Sequence, residues 1–272
     1  ILGAITAANE RFYLQTLDGV IHCLDVGGAS CWRFDPYAGA PQEPGSREKR
    51  QYCGVPVAVL DKTIVAAVGF DLMCLRDRGN KAEPVWVQRK PIKDAYLPVG
   101  VSLADGWAYA SFPGKDGRGA VLRVNLASGE IDRDRDVISD QWAVLTPPAI
   151  RDGAAYFCRQ AFGLSVAEFG EQPRVNWSSF SDRPESVTPA IAAPTLAGDH
   201  CLFTLLKGGL AIARVSGTGA LPKGRDAVQV VATPGGAVIT SSPAVSNGVV
   251  YFGSDDGGLY ILRSEQPRSP VN

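Results

Sequence analysis

The chain has 272 residues, enough to bury a large core, and a repetitive all-β protein of this size runs as one domain. Its 27 lysines and arginines nearly cancel 28 aspartates and glutamates, so a net charge of −1 gives no argument for nucleic acid or an anionic membrane as partner. The longest apolar runs, such as Thr63 to Phe70, are far too short to cross a bilayer.

Strand signals recur along the whole chain. The first module starts near Gly3 with GAITAANERFYL and continues through the Asp18-Gly19 turn into LDGVIHCLDVGGASCW at 17–32. A Pro/Gly-rich charged loop follows over 35–52. The second module starts at Val57, where Thr63-Ile64-Val65-Ala66-Ala67-Val68 has the β-branched composition that pleated, buried surfaces favour. The third starts at Val101, and the fourth at Pro148. Their Asp105-Gly106 and Asp152-Gly153 dipeptides supply the positive φ of tight hairpins. A looser copy starts at Pro194, and the clearest is Ser242 to Leu262, with Asn247-Gly248 and Asp256-Gly257 at its two turns. No stretch shows a helical period with caps at both ends.

The module starts at 3, 57, 101, 148, 194 and 243 are roughly 44 to 54 residues apart, the period of a four-stranded propeller blade. The predicted fold is therefore an all-β propeller over residues 1–265, with a polar tail at 266–272. The sixth module stops after its third strand, because Arg263 to Asn272 is polar and carries Pro267 and Pro270. A blade left open at its edge leads us to expect a longer native protein, completed by strands outside this sequence. The chain opens on Ile1 and offers no leader to read, so we expect a processed or partial polypeptide.

Six cysteines occur, none at CxxC spacing, so zinc-knuckle and thioredoxin-type motifs are absent from the sequence. Cys23 and Cys74 hold the same module position on apolar strands and read as buried free thiols. Cys31 and Cys53 bracket the long first loop; they read either as a disulfide stapling it or as two more free thiols. Asp132, Asp134 and Asp136 have the spacing of a calcium loop, but Val137 replaces its glycine and Ala143 its bidentate glutamate. We expect a charged, solvated edge strand there. His22 and His200 lie in different modules with no ligand-spaced company and read as structural. The S-x-x-K match at Ser46 to Lys49 sits in a loop, without the helix start such a nucleophile needs. The glycines of Gly114 to Gly119 read as a hairpin tip, and the Asn176 sequon overlaps Trp177.

The modules resemble the PQQ-like β-propeller repeat of the quinoprotein dehydrogenases. The likeness is carried by SSPAVSNGVVYFGSDDGGLYIL at 241–262, LDGVIHCLDVGGASCW at 17–32, Thr146-Pro147-Pro148-Ala149 and the NLASGEI turn at 125–131. Such repeats end in a turn followed by a tryptophan that docks between blades, and Trp32, Trp86 and Trp177 fall where it belongs. The third module keeps the Ser128-Gly129 turn but has Ile131 in the tryptophan's place. The resemblance implies seven or eight blades in the intact protein. A quinoprotein enzyme would also need a calcium site of Glu, Asn and Asp and an adjacent Cys-Cys pair, and the sequence shows neither.

By resemblance to the periplasmic lipoprotein propeller of outer-membrane β-barrel assembly, the expected function is a non-enzymatic scaffold. It would be exported, without cofactor, metal or catalytic residues, and would bind a protein or peptide through one loop face. Arg47, Lys49, Arg50, Tyr52, Lys115, Arg118, Arg159 and Phe162 would gather there as a basic rim with aromatic anchors, as interfaces favour. The competing reading of these residues is an ordinary solvated loop face. Two rival functions are a redox propeller whose cofactor residues lie outside this sequence, and a carbohydrate binder using Tyr37, Tyr52 and Phe162.

Overall fold

The structure, a computed structural model, describes residues 5–38, 55–93, 97–114, 118–140, 144, 146–159, 163–178, 192–206, 209–215 and 228–263. The chain divides into two compact units: Ile1–Ala155 with Ala167–Arg174, and Tyr156–Val166 with Val175–Asn272.

Each module forms one antiparallel sheet in which neighbours in sequence are neighbours in space. The first sheet is β1 (Thr6–Ala8), β2 (Arg11–Gln15), β3 (Ile21–Asp25) and β4 (Ser30–Phe34). The second is β5 (Ala58–Leu60), β6 (Thr63–Val68), β7 (Asp71–Asp77) and β8 (Ala82–Gln88). The third is β9 (Gly100–Ala104), β10 (Trp107–Pro113), β11 (Gly119–Asn125) and β12 (Val137–Asp140). The fourth is β13 (Ala149–Arg151), β14 (Ala154–Arg159), β15 (Gly163–Glu168) and β16 (Arg174–Ser178). The fifth is β17 (Thr195–Ala197), β18 (His200–Leu205), β19 (Gly209–Arg214) and β20 (Val228–Val231). The sixth has three strands among the described residues: β21 (Ala244–Ser246), β22 (Val249–Gly253) and β23 (Leu259–Arg263). The one helical element described is a 3-10 turn at Pro234–Gly236.

The turns follow from the sequence. Asp105 and Gly106 (φ 51° and 81°), Asp152 and Gly153 (50° and 73°), and Asn247 and Gly248 (50° and 74°) are left-handed at both central positions. That geometry matches the twist of the flanking strands.

Strand β6 is apolar without alternation because both its faces are buried. Ile64, Ala66 and Val68 pack with Tyr13, Ile21, Cys23 and Trp32 of the first sheet, while Val65 and Ala67 join Ala108, Ala110, Phe112 and Leu122 of the third. A period of two thus splits one apolar run between two cores. In the second unit Leu202, Leu210, Ile239 and Phe252 form a further cluster.

Polar struts tie successive sheets at one repeat position. A first-strand hydroxyl donates to a carbonyl one module later: Thr6 to Val57 O (2.6 Å), Ser102 to Pro148 O (2.5 Å) and Thr195 to Pro243 O (2.5 Å). Ser102→Ala is expected to cost about 1 kcal/mol in urea unfolding, the usual net worth of such a bond.

The Asp132–Asp136 run corrects the expected edge strand. It is a turn, in which the amides of Arg135 and Asp136 donate to Asp132 O and the Asp134 amide donates to Asp132 Oδ1. Aspartate side chains that bond local backbone outcompete the extended form here. Asp136 is buried at 4 % exposure rather than solvated.

Candidate functional site

A dense polar cluster in the first unit surrounds Asp77, the last residue of β7, at 6 % exposure. Its Oδ1 accepts from Trp32 Nε1 (3.1 Å), the Gly79 amide (2.7 Å) and Arg11 Nη1 (3.3 Å). Its Oδ2 accepts from the Tyr13 hydroxyl (2.8 Å) and Arg11 Nη1 (3.2 Å). Arg11 Nη1 also donates to Gly79 O at 2.9 Å. Three residues of the first sheet therefore converge on one carboxylate of the second. Burial disfavours the charged form, but the Gly79 amide, Tyr13, Trp32 and Arg11 outweigh it and hold the Asp77 carboxyl below its ordinary range. Burial first, then the bond to Asp77, push the Tyr13 phenol up.

Trp32 is 5 % exposed and packs with Tyr13 at a centroid distance of 6.1 Å. Trp86 on β8 makes the corresponding contact with the third sheet, where its Nε1 donates to Leu126 O at 3.0 Å. Its ring lies over Gly129 (φ +76°), where a Cβ would sit 2.6 Å from Trp86 Cγ. In both sheets the tryptophan is registered opposite a cysteine: Trp32 faces Cys23, and Trp86 faces Cys74. Trp177 lies on β16.

The third sheet has Ile131 at this place, packed against the core, and carries an ion pair beside it. Arg123 Nε donates to Asp136 Oδ1 at 2.6 Å. The guanidinium is sandwiched 4.3 Å from the Trp107 ring centroid and 5.2 Å from that of Phe169. The charged run next to Ile131, opaque in sequence, thus supplies the Asp136 end of a largely buried ion pair with Arg123.

Cys23 and Cys74 are buried free thiols, and Cys158 and Cys201 are buried as well. Burial pushes the Cys23 and Cys74 thiols up to about 11. A raised thiol pKa contributes stability that is complete below the ordinary thiol range and lost as pH rises towards 11. Cys23 and Cys74 are accordingly expected to resist iodoacetamide at pH 8 until the chain unfolds, whereas half-buried Cys31 alkylates first; time-resolved mass mapping checks this. Cys31 is a free thiol here, and Cys53 lies outside the described residues.

Of the expected rim, Arg118 is exposed at the base of the β10–β11 hairpin, where its carbonyl accepts from the Gly114 amide. Arg159 differs from expectation. At 8 % exposure it is turned into its sheet, and its Nε donates to Ser165 Oγ at 2.8 Å, because a hairpin-end guanidinium beside a buried hydroxyl is better bonded than solvated. Arg47, Lys49, Arg50, Tyr52, Lys115 and Phe162 lie outside the described residues. Tyr37 is half-buried and packs against the first core. His22 is half-buried, and burial and Arg33 lower its pKa. His200 pairs with Asp199 at 2.6 Å.

Among the described residues no three His, Cys, Asp or Glu side chains converge to hold a cation. Gln15 Oε1, Ser111 Oγ and Thr204 Oγ1 are buried without a hydrogen-bond partner, each on the second strand of its own sheet. No helix of the described residues is long and apolar enough to cross a membrane.

No protein-family model and no curated protein sequence matches the chain. Solved structures do. BamB from Moraxella catarrhalis is 16 % identical with a TM-score of 0.62, over 97 % of this chain and 70 % of that one. The computationally designed Ika8 protein is 12 % identical with a TM-score of 0.62, over 95 % of this chain and 70 % of that one. Quinohemoprotein alcohol dehydrogenase from Comamonas testosteroni is 11 % identical with a TM-score of 0.63, over 92 % of this chain and 51 % of that one. The fold is that of a β-propeller.

Proposed function

We propose that the chain is a non-enzymatic, exported scaffold that binds a protein or peptide through the face carrying the β10–β11 hairpin tip. One observation carries this reading. The three buried charged side chains among the described residues, Asp77, Asp136 and Arg159, are all bonded to other side chains of the fold. Asp77 and Asp136 hold neighbouring strands and sheets in place, which is work for a framework rather than for acid–base chemistry. Arg118, by contrast, presents an exposed guanidinium at a hairpin end, where loops carry recognition. The likeness to BamB over 97 % of this chain supports the same reading and an envelope location. The long loop with Arg47, Lys49, Arg50 and Tyr52, together with Lys115 and Phe162, is proposed to share that face with Arg118.

The likeness to a quinohemoprotein dehydrogenase motivates the second reading, a redox propeller. Titrating the protein with pyrroloquinoline quinone and calcium separates the two. The scaffold predicts no saturable change in the quinone absorption, and a saturable calcium-dependent change would overturn it.

A further inference from the structure

Strand β20 has a glutamine where β4 and β8 have a tryptophan, and a cleft opens beside it. Three hairpins begin with equivalent pairs, Arg11 with Asp25, Thr63 with Arg76 and His200 with Arg214. Two residues back from the third-strand member stand Cys23, Cys74 and Ile212. Their partners on the fourth strand are Trp32, Trp86 and Gln229. The receiving surfaces compare in the same way. The second pair of each hairpin is Ile64 with Leu75 in the second sheet, Ala108 with Val124 in the third, and Val250 with Leu262 in the sixth. Ile64 and Leu75 share a core with Trp32, and Trp86 packs against the core that holds Ala108 and Val124. All four are 0 % exposed. Val250 and Leu262 are only half-buried, although they pack against the cluster that holds Leu202 and Leu210 of the fifth sheet. The space left is a cleft of about 550 Å³, lined by Leu202, Ile212 and Gln229 of the fifth sheet and Val250 and Leu262 of the sixth. That volume lies within the range of small-molecule sites.

We propose that this cleft binds a small bicyclic aromatic molecule of the indole class, its ring taking the place that Trp32 and Trp86 fill from within the chain. The two filled docks supply the template for the ligand: a flat apolar ring against aliphatic walls, with one N–H that needs an acceptor. Trp32 finds that acceptor in Asp77 and Trp86 in Leu126 O. In the cleft the Gln229 amide offers both an acceptor and a donor. Four aliphatic side chains supply the rest of the affinity, because a ring set among them removes apolar surface from water. Apolar cavities of this chemistry take up aromatic guests. Gln229 is exposed, so the cleft is reached from solvent. This site is independent of the loop-face reading and stands if that reading fails.

Indole itself is the probe. Calorimetric titration of the whole chain with indole is expected to saturate. In methyl NMR spectra of the same protein, ring-current shifts are expected at Ile212, Val250 and Leu262 and not at Ile64 and Leu75, whose dock is already filled by Trp32. Gln229→Trp puts the residue of the first two sheets into the fifth. It is expected to raise the urea midpoint and to weaken indole at least about tenfold. Absence of saturation, shifts spread equally over both sets of methyls, or unchanged indole binding by Gln229→Trp would overturn the proposal. Saturation by a tryptophan-containing peptide but not by free indole would assign the cleft to a partner's side chain and overturn it as well. The NMR comparison uses unaltered protein, so it holds even if the tryptophan variant does not fold.

Discussion

Asp77→Ala is expected to lower the unfolding free energy by about 3–5 kcal/mol, the usual penalty for removing one partner of a buried ion pair. The carboxylate is 6 % exposed and satisfies Arg11, Tyr13, Trp32 and the Gly79 amide together, so its loss leaves four donors without their acceptor. Urea titration measures the effect, and a change below about 1 kcal/mol would be the cost of a surface pair instead. The pH dependence has a definite sign. The folded carboxyl titrates below its ordinary range, so its contribution is complete above that range and disappears as pH falls through the lowered value. The stability gap between the native chain and Asp77→Asn is therefore expected to be widest near neutrality and to narrow in acid.

The second large effect is expected at Gly129. Alanine there meets two obstacles: a backbone at φ +76°, and a Cβ 2.6 Å from Trp86 Cγ. Left-handed strain alone costs about 1–3 kcal/mol at a residue with a side chain, and displacing the indole also disturbs its bond to Leu126 O. Trp86→Ala removes the obstructing ring at a cost of about 3–5 kcal/mol. The diagnostic outcome is the combination. In the Trp86→Ala background, Gly129→Ala is expected to cost only its backbone strain, so the double-mutant cycle shows coupling well above the few tenths of a kcal/mol seen for independent sites. Additive costs would mean that the glycine is needed for the turn and not for the docking ring.

The repeat was legible because its signals are local. Asp-Gly and Asn-Gly pairs enforce turn geometry wherever they occur, and six spaced starts reveal one module. The tryptophans at 32 and 86 were legible through the resemblance, but the acceptor of Trp32 was not. Asp77 lies 45 residues away on another sheet, and no spacing rule links a strand-end aspartate to Arg11, Tyr13 and Trp32. The Arg123–Asp136 pair was misread for a related reason: alternating charges look like an exposed strand until the Asx turn at Asp132 is seen to bury one of them. Arg159 shows the limit of reading a hairpin end as surface. Ser165, six residues on, captures the guanidinium inside the sheet.

The scaffold reading is tested most directly by crosslinking from the proposed face. Benzoylphenylalanine is placed at Arg118, and as a comparison at exposed Asp105 in the β9–β10 turn at the other end of the same strand β10. Irradiation is carried out in envelope extracts of the source cells. The account predicts a discrete protein adduct from position 118 and none from position 105. Adducts of equal yield from both positions, or from neither, would contradict it.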